Sequence, residues 1–303
     1  MVALPQPETN SASLGLEAPA TWQQLAILIR LRNQSGTLLL LWPALWSLVM
    51  ASDGHPPLLL LLLFVAGSFL MRSAGVVLND LADRSFDRQV ARTKTRPLAS
   101  GTLSRQVAIG TAVFLLTASA SLLYCLNRFT VLLSPMAFFL AALYPFAKRF
   151  VQVPQAVLGI AFGWGAVMAW ASVRNQLDLP VWFLYTGTIC WALGYDTIYA
   201  LQDREDDVRI GVKSSAIYFG SRTWSAVACC FVGMLVSVGA AGWLAGLGPA
   251  FYAMLAVAAL MMSRQVFLVR GTVPPPLALA LFKQHVWIGG AILAGVWSGA
   301  LFP

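Results

Sequence analysis

The sequence predicts an all-α integral membrane protein: a polytopic helical bundle of about nine transmembrane helices. Three observations predict it. Of the 303 residues, 58% are hydrophobic and only 11% are charged. Apolar stretches of about twenty residues, enough to cross a bilayer, recur along the chain. Basic residues collect beside alternate ends of those stretches, as the positive-inside rule requires. A soluble domain carries roughly 25% charged residues, so a soluble globular enzyme, a disordered chain and a collagen-like chain are excluded.

Residues 1–20 are polar and proline-rich, with Glu8 and Glu17 and no basic leader, and read as a disordered tail without a cleavable signal. Thr21 to Arg32 forms an amphipathic stretch (Trp22, Leu25, Ile27, Leu28, Ile29), expected as an interfacial helix. Spans are expected at about 35–51, 58–78, 107–125, 128–147, 154–173, 181–201, 223–246, 249–269 and 277–301. Breaks such as Asp53-Gly54-His55-Pro56-Pro57 and Pro274-Pro275-Pro276 separate them. The narrowest boundary is Leu126-Asn127-Arg128. With the N-terminus cytoplasmic, only Arg128 and Arg174 of the 20 Lys and Arg fall on the outer side. Residues 21–303 read as one transmembrane domain of two related halves, about 21–150 and 151–303. The net charge of +8 then belongs to a cytoplasmic face or an anionic substrate, and no nucleic-acid partner is expected.

The four cysteines have no metal-ligand spacing, and His55 and His285 form no cluster. The acids are more telling. Two are in the tail and two, Asp53 and Asp178, are in outer loops. The other eight fall in two windows, Asp80, Asp83 and Asp87, then Asp196, Asp203, Glu205, Asp206 and Asp207. Asn79, Asp83 and Asp87 are spaced i, i+4, i+8, within an arc of about 80° on a helix. Asp196, Asp203 and Asp207 are spaced i, i+7, i+11, within about 40°. Asp83-Arg84-x-x-Asp87 recurs as Asp203-Arg204-x-x-Asp207. Facing stripes of carboxylates repel unless a cation sits between them, and oxygen donors suit a hard one. The reading is a Mg²⁺–diphosphate clamp at the membrane surface. The plainer reading is a pair of solvated loops, which need neither the register nor the repeat.

A diphosphate also needs cationic donors. Arg88, Arg92, Lys94, Arg96 and Arg105 follow the first window, and Arg204, Arg209 and Lys213 lie in or after the second. Tyr144 and Lys148 lie one turn apart, with Arg149 beside them, and Tyr199 lies within the second window. Arg72 lies inside a span, two turns before Asn79, and should project toward the same cavity. Arg92, Lys94, Arg105, Arg209 and Arg222 are equally explained by the positive-inside signal.

At these residues the chain resembles the UbiA-type membrane prenyltransferases, and within them the 4-hydroxybenzoate branch. Asn79, Asp80, Asp83 and Asp87 match the family's N-D-x-x-D-x-x-x-D, Asp203 and Asp207 its D-x-x-x-D, and Tyr144 and Lys148 its Y-x-x-x-K. Flanking runs also match: Gly36-Thr37-Leu38-Leu39-Leu40-Leu41-Trp42-Pro43, Met71-Arg72-Ser73-Ala74-Gly75, Arg96-Pro97-Leu98 and Tyr195-Asp196-Thr197. The family's R-L-D-K-P-I-G is here Arg30-Leu31-Arg32-Asn33-Gln34-Ser35-Gly36. That departure removes support for a substrate contact from this segment.

The resemblance implies transfer of a polyprenyl group from its diphosphate to the ring carbon ortho to the hydroxyl of 4-hydroxybenzoate, a step in quinone biosynthesis. It implies Mg²⁺ held by Asn79, Asp80, Asp83, Asp87, Asp203 and Asp207. Asp196, Asp83, Asp203 and Lys148 would carry the chemistry. Arg72, Tyr144, Lys148, Arg149, Arg84, Arg88, Arg204, Lys213 and Tyr199 would bind substrate, with Arg72 or Arg149 on the benzoate carboxylate. The expected setting is a bacterial inner membrane, with the site on the cytoplasmic side and lipid bordering the prenyl tail. The rivals are another aromatic acceptor, such as homogentisate or a naphthoate, and a secondary transporter, whose ionisable groups would sit nearer the bilayer midplane.

Overall fold

A computed structural model describes residues 21–303, apart from the side chain of Lys148. The tail expected over residues 1–20 lies outside the described residues. Helix α1 (Thr21–Leu28) leads into α2 (Ser35–Ala51), α3 (Leu58–Ala82), the short α4 (Arg84–Asp87) and α5 (Pro97–Ser100), then α6 (Arg105–Ser121) and α7 (Arg128–Phe150). The chain continues through α8 (Pro154–Arg174), α9 (Leu179–Ala200), the short α10 (Arg204–Ile210) and α11 (Ser215–Phe219), then α12 (Thr223–Leu244), α13 (Pro249–Val269) and α14 (Pro275–Leu301). No strand occurs among the described residues.

Nine of these helices are long, matching the expected spans. Among the described residues, seven helical stretches are long and apolar enough to cross a membrane on their own. Of the other two, α2 has 17 residues and α9 has 22 with Asp196 inside it. Both lie in the middle of the bundle, so their surroundings are protein as much as lipid. Trp46 of α2 and Trp191 of α9 are fully buried, 5.1 Å apart between ring centroids. Leu62, Phe114, Phe139, Val236, Leu260 and Trp287 face outward, as a lipid solvent permits. The protein is an integral membrane protein.

Chain punctuation follows the sequence. Proline occupies the first turn of α5, α8, α9, α13 and α14, where its missing N–H costs nothing. At the narrow boundary after α6, a 3₁₀ turn (Leu122–Cys125) precedes Asn127, whose Oδ1 accepts from the Thr130 N–H at 2.8 Å and starts α7. Gly159 allows α8 to lie directly on α9, since a Cβ there would sit 2.8 Å from the Ile189 carbonyl oxygen.

The helices alternate in direction, so α3, α7 and α9 end where α6, α8 and α12 begin. Polar bonds tie this end together: Arg149 donates to the Ala82 carbonyl, Lys213 to that of Phe150, and the Ser215 N–H to Gln155. At the opposite end Arg174 pairs with Asp53 at 2.9 Å, and both had been expected outside.

The two larger buried clusters lie on different sets of helices. One joins α2, α8, α9 and α12–α14; the other joins α1, α3, α5 and α6 through Leu28, Val77, Leu98 and Leu115. His285 belongs to the first. Trp191 donates to its Nδ1 at 2.8 Å, so Nε2 carries the proton and donates to Gln265 at 2.9 Å. This histidine is structural, as expected from its isolation in the sequence.

Candidate active site

The two acidic windows are built alike, and not as the continuous helices expected. Helix α3 stops at Ala82, Asp83 sits in a bend (φ −95°, ψ 2°), and α4 restarts at Arg84. Helix α9 stops at Ala200, Asp203 sits in the corresponding bend (φ −106°, ψ 7°), and α10 restarts at Arg204. In each, the second acid's N–H donates to the first acid's carbonyl at 2.8 Å, Asp87 to Asp83 and Asp207 to Asp203. The i, i+4 pair therefore survives in both windows. The longer register linking Asp196 to Asp203 does not, because a tight turn over 201–203 intervenes.

The windows meet. Arg92, between them in sequence, forks onto Asp203 (Nε to Oδ1 2.9 Å, Nη2 to Oδ2 2.5 Å) and donates from Nη1 to the Tyr199 hydroxyl at 3.2 Å. The Ala91 N–H donates to Asp206, and Arg209 donates to the Gln89 carbonyl. Burial opposes the charge on Arg92. Its hydrogen bond to Asp203, together with nearby Tyr199 and Asp87, outweighs that and holds its pKa above the ordinary arginine value.

Both windows line one cavity of about 560 Å³. Its polar mouth carries Asn79, Asp80, Asp83, Asp87, Asp196, Asp203 and Asp207, with Arg30, Arg72, Arg92, Arg96, Tyr144, Tyr199, Lys213 and Lys283. Beyond the mouth it turns apolar between α2, α3, α7 and the 3₁₀ turn, past Leu40, Ala44, Leu63, Phe64, Leu123 and Phe138. A hard cation suits this set of carboxylate and amide oxygens. Among the described residues no three His, Cys, Asp or Glu side chains come close enough to enclose a metal alone.

Several expected site residues have protein partners. Asp80, expected as a metal ligand, is 1% exposed and bonded to arginines: Arg30 donates from Nη2 to both of its oxygens, at 2.9 and 3.1 Å, and Arg96 reaches it at 3.0 Å. Arg96 also bonds Asp87 at 2.9 Å. Segment 30–36, for which the motif departure left a substrate contact without support, supplies Arg30 and Gly36 to the cavity. Arg30 turns in through a left-handed backbone (φ 58°) after α1.

Arg84 and Arg88, expected on substrate, instead donate to the Leu98 and Ala99 carbonyls and hold α5 against α4. Arg149 is engaged at Ala82 and lies over the rings of Phe86 and Phe146. Arg204 is exposed, and neither it, Arg84, Arg88 nor Arg149 lines the cavity. Arg72 does, with Gly36 directly under its guanidinium: a Cβ there would lie 2.5 Å from Nε. Lys148 lies outside the described side chains.

The sequence did not point to Arg30, Lys283 or the residues lining the apolar channel, and it divided Arg92 between function and positive-inside bias. The signal for Arg92 and Arg96 was present, since both follow an acidic window whose carboxylates need counter-charge.

An acidic, arginine-rich mouth opening onto an apolar channel inside a helical bundle defines a membrane enzyme for a long apolar substrate with an anionic head. Residues 40–287 match the family model described as the UbiA prenyltransferase family. The chain belongs to the UbiA prenyltransferase family. It is 44% identical over 278 residues to "4-hydroxybenzoate octaprenyltransferase" of Tolumonas auensis, covering 92% of this chain and 97% of that one. It is 46% identical over 286 residues to the protein of that name from Polynucleobacter asymbioticus, covering 90% and 95%. Among solved structures, an apo UbiA homolog from Aeropyrum pernix K1 superposes with a TM-score of 0.74 at 25% identity, over 85% of this chain and 96% of that one. A UbiA homolog from Archaeoglobus fulgidus, bound to GPP and Mg²⁺, has the same fold (TM-score 0.64, 15% identity, 92% and 99% covered).

Proposed function

We propose that this protein transfers a polyprenyl group from a polyprenyl diphosphate to 4-hydroxybenzoate, at the ring carbon ortho to the hydroxyl. The observation that carries this is the single cavity that joins both acidic windows to an apolar channel. The names of the 44–46% identical relatives support the acceptor. The Archaeoglobus homolog bound to GPP and Mg²⁺ supports the donor and the metal.

Asn79, Asp83, Asp87, Asp203 and Asp207 are the residues that would hold Mg²⁺, with phosphate oxygens completing coordination that the protein does not close by itself. Bound there, Mg²⁺ would neutralise the charge that grows on the diphosphate as the allylic C–O bond breaks. Arg92, Lys213 and Tyr144 line the same mouth and would add donors to the leaving group. Leu40, Phe64 and Phe138 keep water from the allylic carbon, where it would give the alcohol instead of the product. Of the two arginines considered for the benzoate carboxylate, Arg72 is the one on the cavity wall. Asp196, on the same wall, would orient the phenol or take a proton from it. We place the mouth on the cytoplasmic side of a bacterial inner membrane, from the basic residues gathered at that end.

The test is to incubate membranes containing the protein with 4-hydroxybenzoate, homogentisate and a naphthoate, each with prenyl diphosphates of several lengths, and identify products by mass. A prenylated 4-hydroxybenzoate formed only with divalent metal is expected. Product from another acceptor alone would move the assignment within the family.

A further inference from the structure

Arg92 stands out among the basic residues at the mouth. Its side chain reaches from the loop after α4 to the bend before α10. Its planar fork takes both oxygens of Asp203, and its remaining terminal nitrogen takes Tyr199 of α9. Its guanidinium lies 5.5 Å from the Tyr199 ring centroid. Asp203, Tyr199, Asp87 and Arg92 all line the cavity. A divalent cation ligated by Asp203 competes for the oxygen atoms this guanidinium holds. Two cations on one carboxylate repel, so each weakens the other's hold on Asp203.

A released Arg92 would remain in the mouth, tethered at Val90 and Thr93. The Thr93 hydroxyl donates to the Asp87 carbonyl and the Thr93 N–H to that of Val90, which anchors the loop on either side of Arg92. The fork that fits a carboxylate also fits a phosphate. We propose that Arg92 is a placeholder cation and a diphosphate ligand in turn: it neutralises Asp203 before metal binds, and passes to the substrate diphosphate when metal takes Asp203. The inference rests on the metal and diphosphate roles proposed above.

Exchange of partners couples the two ligands. Metal alone must displace Arg92 without a phosphate to receive it. With diphosphate present, the displaced guanidinium gains a new partner, so metal and diphosphate bind better together than apart. Removing Arg92 therefore has opposite effects on the two ligands. A residue that merely attracts diphosphate, or merely braces the loop, lacks this sign reversal.

The experiment uses the purified full chain in detergent. Mn²⁺ binding is read by paramagnetic resonance, first alone and then at saturating inorganic diphosphate, and diphosphate binding is read by calorimetry at saturating Mg²⁺. Arg92→Gln is expected to bind Mn²⁺ alone about three- to tenfold more tightly than wild type, and diphosphate at least tenfold more weakly. Arg209→Gln, which also removes a positive charge near the mouth but bonds Asp206 and the Gln89 carbonyl and not Asp203, controls for general electrostatics and for bracing of the loop, and should change Mn²⁺ affinity less than twofold. Arg92→Lys, which keeps the charge and loses the fork, should weaken diphosphate without tightening Mn²⁺ as far.

Unchanged or weaker Mn²⁺ binding in Arg92→Gln overturns the placeholder role. So does equal tightening in Arg209→Gln. If Arg92→Gln fails to fold, Arg92→Lys decides: diphosphate binding equal to wild type overturns the transfer. Wild-type protein that binds no Mn²⁺ even with diphosphate refutes the metal reading itself, a separate outcome.

Discussion

Asp80→Asn separates a metal ligand from a buried counter-ion. Asp80 is 1% exposed and receives two hydrogen bonds from Arg30 and one from Arg96. Breaking a fully buried ion pair costs about 3–5 kcal/mol, and a charge-assisted hydrogen bond contributes about 1.5–3. Two features lower the figure here. Asparagine keeps one acceptor oxygen, and Arg30 and Arg96 are 25% and 20% exposed, so water meets part of their released charge. The expected loss is about 2–4 kcal/mol of stability. It would be read from denaturant unfolding of the detergent-solubilised protein. The Mg²⁺ concentration giving half-maximal turnover of the folded fraction should stay within about threefold of wild type. Unchanged stability with a metal requirement raised tenfold or more would show that Asp80 binds metal and that its arginines are incidental.

Asp203→Asn and Asp207→Asn should each lower turnover by at least a hundredfold and raise the Mg²⁺ requirement; near-normal turnover and metal response in a Mg²⁺ titration would remove them from the metal site. Gly36→Ala should raise the acceptor KM roughly tenfold while leaving the prenyl diphosphate KM within about twofold. A Cβ there would lie 2.5 Å from Nε and 2.7 Å from Nη2 of Arg72, and must push the guanidinium aside. Steady-state kinetics with each substrate varied in turn separates the two constants, and the reverse pattern would put Arg72 on the diphosphate. Trp191→Phe should cost about 1–3 kcal/mol in the same unfolding assay, because His285 Nδ1 loses its buried donor; no loss would mean that the histidine finds another partner.

The spans were legible because membrane solvation imposes length and apolarity on each helix separately, without knowledge of its neighbours. The narrow boundary at Asn127 was legible too, since a capping residue there suffices to restart a helix. The bends at Asp83 and Asp203 were not. Their registers satisfy a continuous helix arithmetically, and the break lies in backbone angles to which aspartate is indifferent. The arginine pairing was hidden for another reason. Arg30 and Asp80 are fifty residues apart, and Arg92 and Asp203 more than a hundred. Only tertiary packing brings such pairs together, and a positive-inside bias supplies basic residues at that end in any case. Arg84, Arg88 and Arg149 were selected for the cavity by proximity in sequence; their neighbours' carbonyls, left open at short helix ends, bound them first. The apolar channel has no sequence signature, because its Leu and Phe are indistinguishable from those facing lipid.

Charge balance at the mouth would make the proposed metal and diphosphate bind together. The described charged side chains lining the cavity are six acids, Asp80, Asp83, Asp87, Asp196, Asp203 and Asp207, and six bases, Arg30, Arg72, Arg92, Arg96, Lys213 and Lys283. Formally they cancel. In a site of low dielectric, adding a multiply charged anion to a balanced set is unfavourable, and so is adding a divalent cation. Added together, each screens the other, and the arginines and carboxylates can exchange partners without leaving a bare charge. Inorganic diphosphate should therefore bind weakly with metal chelated, and at least thirtyfold more tightly once Mg²⁺ is restored. Calorimetry at fixed ionic strength measures the difference. Equal affinity in both conditions would mean that the arginines alone form the diphosphate site, and that the carboxylates serve to hold them in place.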